Sequence, residues 1–245
     1  MSHRISEAIC DLTGALANLA WPRTCEVCGC ALVKGEDVVC LKCYNTMPMV
    51  GLHTQEFNLL HQRLAGHLLF ERVGSRFWYY RDTPHARLIH HAKYNGRPRI
   101  GRILARRYAL TLKHDGFFDG IDAIIPIPLS PLKLLRRGYN QSDAIALGLR
   151  DVSGINIVHG LATSRYRSTQ TRRNAYARWI NARNGCKTLL DTLRRLSTVL
   201  IVDDGLTTGA NIQDTAEALQ SDAPTPAQSG GTCAAAHISG TPPRH

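Results

Sequence analysis

The chain of 245 residues carries 30 Lys and Arg against 19 Asp and Glu, a formal net charge of +11 that favours a polyanionic partner or substrate and is neutral about fold. No stretch approaches the roughly twenty apolar residues of a membrane-spanning helix, and the first residues lack the cationic, apolar and cleavage-site order of a secretory signal, so we expect no membrane insertion and a cytoplasmic location. At this length a domain with a small appendage is expected. The charge is uneven: between Arg72 and Lys113 the only acid is Asp82, and between Val152 and Val202 the only acid is Asp191. These Arg-rich windows read either as solvated faces or as a surface for phosphates or nucleic acid.

In chain order, Ile5, Ile9, Leu12, Leu16 and Leu19 fall at helical spacing and end ahead of Trp21 and Pro22. Two CxxC knuckles follow, Cys25 with Cys28 and, after eleven residues, Cys40 with Cys43. Each can present two thiolates to one tetrahedral ion, and a stretch this short and poor in large apolar residues does not fold easily on hydrophobic burial alone. We therefore expect a structural Zn²⁺ (zinc) site, closed by four sulfurs and hence not catalytic. Cys30 lies close enough to compete as a ligand, and a redox pair of CxxC motifs is the alternative chemistry. Cys10, Cys186 and Cys233 lack partner spacing and read as small buried hydrophobes.

Residues 51–70 hold scattered apolar positions and three histidines, His53, His61 and His67, without the i, i+4 spacing of a metal pair. The RFWYY run at 76–80 predicts a strand, with Thr83 capping a helix through Leu88, Ile89 and Ala92. KYNGR at 93–97 interrupts that helix, and a second one with a basic outer face spans 100–112. His90 and His91 stand beside Lys93, either near an anionic ligand or as cations answering a helix C-terminus. A buried strand is predicted at 121–128 and closes in a Pro-rich turn, whose locked backbone can present N–H groups to a phosphate at little entropic cost. LLRRGYNQS at 134–142 then supplies two cations, a hinge and two amides ahead of a helix at 143–149.

Another strand is predicted at 155–161, followed by a polar, Arg-rich stretch at 163–173. The run VLIVDDGLTTGAN at 199–211 organises the chain: four aliphatic residues, two acids, a Gly and Thr turn, then helical spacing to Gln220. It reads as a buried parallel strand whose carboxyl end carries Asp203 and Asp204. In an open α/β sheet that edge is where ligands bind, and the turn can aim backbone N–H groups, two Thr hydroxyls and a helix N-terminus at one phosphate. Acids for sugar hydroxyls and amides for a phosphate point to a sugar phosphate. The plainer alternative is a strand-turn-helix corner whose acids only cap the helix. A polar connection at 221–231 and an Ala-rich last strand at 232–238 complete the pattern.

The 199–211 run resembles the PRPP-binding motif of type I phosphoribosyltransferases. Taken with the double knuckle, Lys93-Tyr94-Asn95-Gly96, Pro126-Ile127-Pro128-Leu129 and Arg137-Gly138-Tyr139-Asn140-Gln141-Ser142, in that order, it makes nearly the whole chain similar to the ComF/GntX family of competence-associated, phosphoribosyltransferase-like proteins. The resemblance implies an α/β fold: a type I phosphoribosyltransferase-like parallel sheet flanked by helices over residues 51–245, preceded by a helix and double zinc-ribbon-like module over residues 1–50. It implies that Asp203 and Asp204 hold the ribose hydroxyls of PRPP, and that Gly205, Leu206, Thr207, Thr208, Gly209 and Ala210 wrap its 5-phosphate. Pro128, Leu129 and Ser130 would form the diphosphate loop, with Arg137, Asn140 and Gln141 near it. Mg²⁺ would accompany PRPP, and cations beside the leaving diphosphate would lower the barrier at the anomeric carbon.

By the same resemblance Arg165, Thr169, Gln170, Arg178 and Asn181 belong to a loop that closes over PRPP, while Cys186 stands where the family usually has an aromatic residue. The implied reaction is glycosyl transfer, with the acceptor unspecified and no general base evident for it. The family also implies a role in natural transformation and DNA uptake, with other competence proteins as partners. The alternative is a non-catalytic protein that senses a metabolite or grips single-stranded DNA, for which Trp78, Tyr79, Tyr80, Tyr94, Tyr139, Tyr166 and Trp179 supply stacking aromatics.

Overall fold

Aliphatic runs without a polar face fold as strands covered on both sides, and here they build one parallel sheet. The structure, a computed structural model, describes residues 22–64, 70–94, 96–159, 196–206, 209–221 and 232–240. Within them the order is α1 (Leu41–Asn45), α2 (Leu59–Leu64), β1 (Phe70–Trp78), α3 (Ala86–Tyr94), α4 (Pro98–His114), β2 (Ala123–Pro126), α5 (Pro131–Arg137), α6 (Gln141–Ser153), β3 (Asn156–Ile157), β4 (Thr198–Leu206), α7 (Ala210–Ser221) and β5 (Thr232–Gly240). The expected N-terminal helix, the polar stretch at 163–173, and Arg178, Asn181 and Cys186 lie outside the described residues.

The sheet order is β1-β5-β4-β2-β3 and every pairing is parallel. The chain leaves β2 for β3 on one side and leaves β4 for β5 on the other. Connections from two neighbouring strands therefore diverge, which opens a crevice beyond their carboxyl ends. Successive side chains of a strand point to opposite faces. Ile124, Leu200 and Val202 accordingly join Ile100, Leu104 and Leu112 of α4 and Ile145 and Leu149 of α6 in one cluster. Ile125, Val199 and Ile201 join Leu60 and Leu64 of α2 and Ile212 and Ala216 of α7 in the other.

α4 buries Ile100, Leu104, Ala105, Tyr108, Ala109 and Leu112, three or four residues apart, and leaves Arg102, Arg106 and Lys113 outside, the basic outer face expected. It crosses α6 closely at Gly148, where a Cβ would stand 2.2 Å from the Arg102 carbonyl oxygen. The cysteine module contributes Val27, Val38, Val39 and Met47 to the α4/α6 cluster. At about 1.5–3 kcal/mol for each buried side chain, these cannot offset the ordering of about thirty residues at about 1–2 kcal/mol each. The module therefore depends on docking and on its cysteines. As the chain leaves it, the Val50 N–H donates to the Arg76 carbonyl (3.0 Å) and the Trp78 N–H to the Pro48 carbonyl (2.8 Å), which covers the outer edge of β1.

Several boundaries differ from the sequence expectation. The strand expected at 76–80 runs instead over Phe70–Trp78, its first half disguised by Glu71 and Arg72 on the sheet margin. Thr83 makes a turn rather than a side-chain cap: its hydroxyl donates to the Tyr80 carbonyl at 2.9 Å. β2 is shorter than predicted. Ile127 donates its N–H to the Val202 carbonyl, so by alternation the Pro126 nitrogen faces the β3 side, where pairing has already ended at Ile124. β3 reaches only Ile157, and β4 continues beyond the acids to Leu206 because β5 still pairs with it there. Among the described residues no helix is long and apolar enough to cross a membrane.

Gly148→Val is expected to lower stability by about 1–3 kcal/mol, because the obstructing atoms are backbone and cannot rotate aside. A lower urea midpoint at unchanged slope is the expected result; an unchanged midpoint would mean that the two helices are not in contact here.

Candidate functional site

β2 pairs with β4 as far as Val202, and Asp203 is the first residue past that ladder. Two adjacent acids on a strand face opposite ways, and they meet different surroundings. Asp203 is 9% exposed; its Oδ1 accepts from the Ser142 hydroxyl at 3.3 Å and from the Asp204 N–H at 2.8 Å. Burial, and then the charge of Asp204, push its carboxyl up to about 7 against these bonds. Asp204 is half-buried and meets cations: its Oδ2 lies 3.1 Å from Lys93 Nζ and 3.9 Å from Arg137 Nη1. It borders a small hollow floored by Ile89, Leu104, Ala144 and Ile145 and rimmed by Lys93, Tyr139 and Gln141.

The RGYNQS segment braces this corner. Gly138, in the left-handed region at φ 78°, ends α5 and turns the chain toward α6. Tyr139 donates its hydroxyl to the Ala92 carbonyl, and Gln141 Nε2 donates to the Lys93 carbonyl at 3.3 Å, so two carbonyls left open at the end of α3 are satisfied by side chains. Asn140 donates to the Ile127 carbonyl (3.0 Å) and accepts from the Ser142 N–H (3.3 Å), which ties the end of β2 to the start of α6. Arg137 Nη1 donates to Gln141 Oε1 at 2.9 Å. These are the residues expected beside a diphosphate; the structure places Arg137 and Gln141 next to Asp204 and gives Asn140 to the backbone.

The remaining expected positions are spread along the same edge. Pro128, Leu129 and Ser130 form the half-buried link from β2 to α5, and the Ser130 hydroxyl caps α5 by accepting from the Lys133 N–H at 3.3 Å. Gly205 still pairs with Ser239, and Leu206 is buried among the α2/α7 residues. Thr207 and Thr208 lie outside the described residues. Gly209, at φ 79°, opens α7 under Leu64, whose Cδ2 would stand 2.6 Å from a Cβ; α2 thus presses on the turn, and Gln213 Nε2 donates to the Leu64 carbonyl at 3.0 Å. Ala210 begins α7 and is exposed. The sequence marked Lys93 as a neighbour of two histidines and as the start of the Lys93-Tyr94-Asn95-Gly96 element without giving it a role at the site, and it did not show Ser142 as the partner of Asp203. The signal for Lys93 was its place in the last turn of α3, pointing past the helix end.

The sulfurs of Cys25, Cys28, Cys40 and Cys43 all lie within 4.8 Å of one another, and Cys30 is not among them. Cys28 and Cys40 Sγ are 3.7 Å apart, close to the edge of about 3.8 Å for four sulfurs at about 2.3 Å from one zinc. Burial pushes the Cys25 thiol up, but N–H groups of Cys28, Cys40 and Val27 bring it down to about 7. Burial and the neighbouring sulfurs push Cys43 the other way. A structural metal fits this donor set, and His91, expected either at an anion or at a helix end, turns out to pair with Glu26 of the module at 2.8 Å.

No family model matches the chain. It is 31% identical over 146 residues to the DNA utilization protein YhgH of Escherichia coli O157:H7, 30% to that of Shigella flexneri and 29% to that of Escherichia coli strain K12. Each alignment covers 56% of this chain, and the chain spans 61% of the length of these curated relatives.

Two outcomes follow from the site. The folded chain favours protonated Asp203 up to about pH 7, whereas an unfolded carboxyl ionises near 3.8. The folded state therefore holds the extra proton between those values, and this contribution to stability falls as pH rises from about 4 to about 7 and stays lost above. Asp203→Asn, whose amide oxygen keeps both acceptor contacts, is expected to melt higher than the wild type at pH 8, with the gain vanishing by pH 4; a pH-independent difference would refute the burial account. Protein purified without chelator is expected to carry about one equivalent of zinc, and less than about half an equivalent would count against the four-sulfur site.

Proposed function

We propose that this chain is a phosphoribosyltransferase-like protein that binds PRPP with Mg²⁺ and serves DNA uptake or utilisation. Residues 51–245 form the phosphoribosyltransferase-like unit and residues 1–50 the double zinc-ribbon-like one. The observation that carries the reading is the meeting of Asp204, Lys93 and Arg137 at the point where the connections from β2 and β4 diverge. One carboxylate that can accept from ribose hydroxyls stands beside two cations that can take diphosphate oxygens, and Gly209 opens the helix whose N-terminus suits the 5-phosphate.

In this reading Asp204 leaves its cations for the ribose hydroxyls, and Lys93 and Arg137 turn to the diphosphate. Asp203 stays beneath, holding the Asp204 N–H and Ser142. Mg²⁺, arriving with PRPP, supplies neutralisation of the diphosphate charge. Glycosyl transfer is the reaction class, with positive charge beside the departing diphosphate as the main means of lowering its barrier. The relatives' name supports the DNA-related role.

A net charge of +11 favours a second reading, a non-catalytic grip on single-stranded DNA. Calorimetry separates the two. Saturable heat with Mg-PRPP is expected, and Asp204→Asn should weaken binding by about ten- to a hundredfold, the worth of one charge-assisted hydrogen bond at about 1.5–3 kcal/mol. Absence of heat with Mg-PRPP, together with oligonucleotide affinity that falls steeply with salt, would give the function to the second reading.

A further inference from the structure

The corner that carries Lys93 is held from outside the site. Glu26 stands between the first two cysteines, and its two carboxylate oxygens divide between a histidine and an arginine on either side of that corner: Oε2 meets His91 Nδ1 at 2.8 Å, and Oε1 meets Arg97 Nη1. His91 lies in the last turns of α3 and Arg97 directly precedes α4, with Lys93 between them. The other end of α3 is tied at His85, whose Nε2 donates to the main-chain carbonyl of Cys43, a second residue of the sulfur cluster, at 2.9 Å. Leu88 and Ile89 share one apolar cluster with Val27, Val38 and Val39 of the module. The Glu26 side chain is only 13% exposed, so its charge is held by these partners rather than by water.

We propose that Glu26 is a positioning residue through which the cysteine module sets Lys93 opposite Asp204, so that metal loading and phosphosugar binding are coupled. A single carboxylate that bridges the end of one helix and the start of the next fixes their relative orientation. Its own backbone lies in the knuckle between Cys25 and Cys28, where its N–H donates to the Val38 carbonyl at 2.9 Å. Without the metal the knuckle loosens, Glu26 loses its register with His91 and Arg97, and the last turn of α3 loses its tie to the module while Tyr139 and Gln141 still hold its carbonyls. The identity of the ligand rests on the function proposed above; the mechanical coupling does not.

The test uses the full chain with three variants: Glu26→Gln, Glu26→Asp and, as a control, Asp151→Asn, which removes the two-pronged Arg102–Asp151 pair between α4 and α6. Zinc content, amide hydrogen exchange and Mg-PRPP affinity are measured on each. In Glu26→Gln zinc is expected to stay bound, exchange over residues 86–97 to rise at least about tenfold while 199–202 stays protected, and the Mg-PRPP Kd to rise about tenfold. Glu26→Asp should recover affinity to within about threefold, Asp151→Asn should move neither readout, and zinc removal should reproduce the exchange pattern of Glu26→Gln.

Unchanged exchange at the corner in Glu26→Gln, or a rise shared equally by the central strand, would overturn the coupling. So would a loosened corner with affinity within about twofold of the wild type. If the wild type gives no heat with Mg-PRPP, the assignment of the ligand fails by itself and the exchange comparison still decides whether Glu26 holds the corner.

Discussion

A strand buried on both faces can carry no charge until it clears a neighbour, and that constraint sets the whole site. β4 is apolar from Val199 to Val202 because helices cover both sides of it. Its pairing with β2 ends at Val202, and the next two residues are acids. Because the same boundary is where connections diverge, the first position able to hold a carboxylate is also the mouth of the crevice. Burial then splits the pair. Asp203 remains under the edge, pushed toward neutrality, and Asp204 turns to Lys93 and Arg137.

How much of this was legible follows from what each signal depends on. The apolar run of β4, the existence of α4 and the four-cysteine group depend on local pattern or on residue type, and they stand in the structure where the sequence placed them, although α4 runs over Pro98–His114 and is longer at both ends than the expected 100–112. The parallel sheet followed from strands that lacked a polar face. β1 was half legible, because Glu71 and Arg72 break the alternation on a strand whose outer edge meets the chain leaving the cysteine module. α5 was not legible as a helix at all: none of its residues is buried, so no apolar stripe marks it. Its signals were Ser130 as cap, Pro131 in the first turn and Gly138 at the end, which are the signs that remain when amphipathicity is missing.

The polar brace was legible as a motif and illegible as a set of contacts. Arg137, Asn140 and Gln141 read as groups for a ligand because cations and amides suit phosphates. The structure uses most of their hydrogen bonds on the protein: Asn140 on Ile127 and Ser142, Gln141 on Lys93 and Arg137. No local pattern could show this, since the partners lie up to 48 residues apart in sequence. The consequence is a rim tied from the site side. Carbonyls at the end of α3 that would otherwise seek water accept from Tyr139 and Gln141, which adds to the hold that the cysteine module has on the same turn through Glu26.

The pairing of Lys93 with Asp204 has the strength a site of this kind needs. Both side chains are partly exposed, at 26% and 21%, so the pair lies nearer the surface regime, where an ion pair contributes about 0–1 kcal/mol, than the buried one. A contact of that size keeps a carboxylate and an ammonium oriented and solvated in part, yet gives way to a ligand that offers both better partners at once. A phosphorylated sugar does so, with hydroxyls for the acid and several charged oxygens for the cations. A neutral sugar would satisfy Asp204 and leave Lys93 and Arg137 unmatched, and inorganic diphosphate would do the reverse. In the function proposed above, this charge arrangement would favour the two chemistries joined in one molecule, the preference coming from a weak pair placed where a buried strand first meets water.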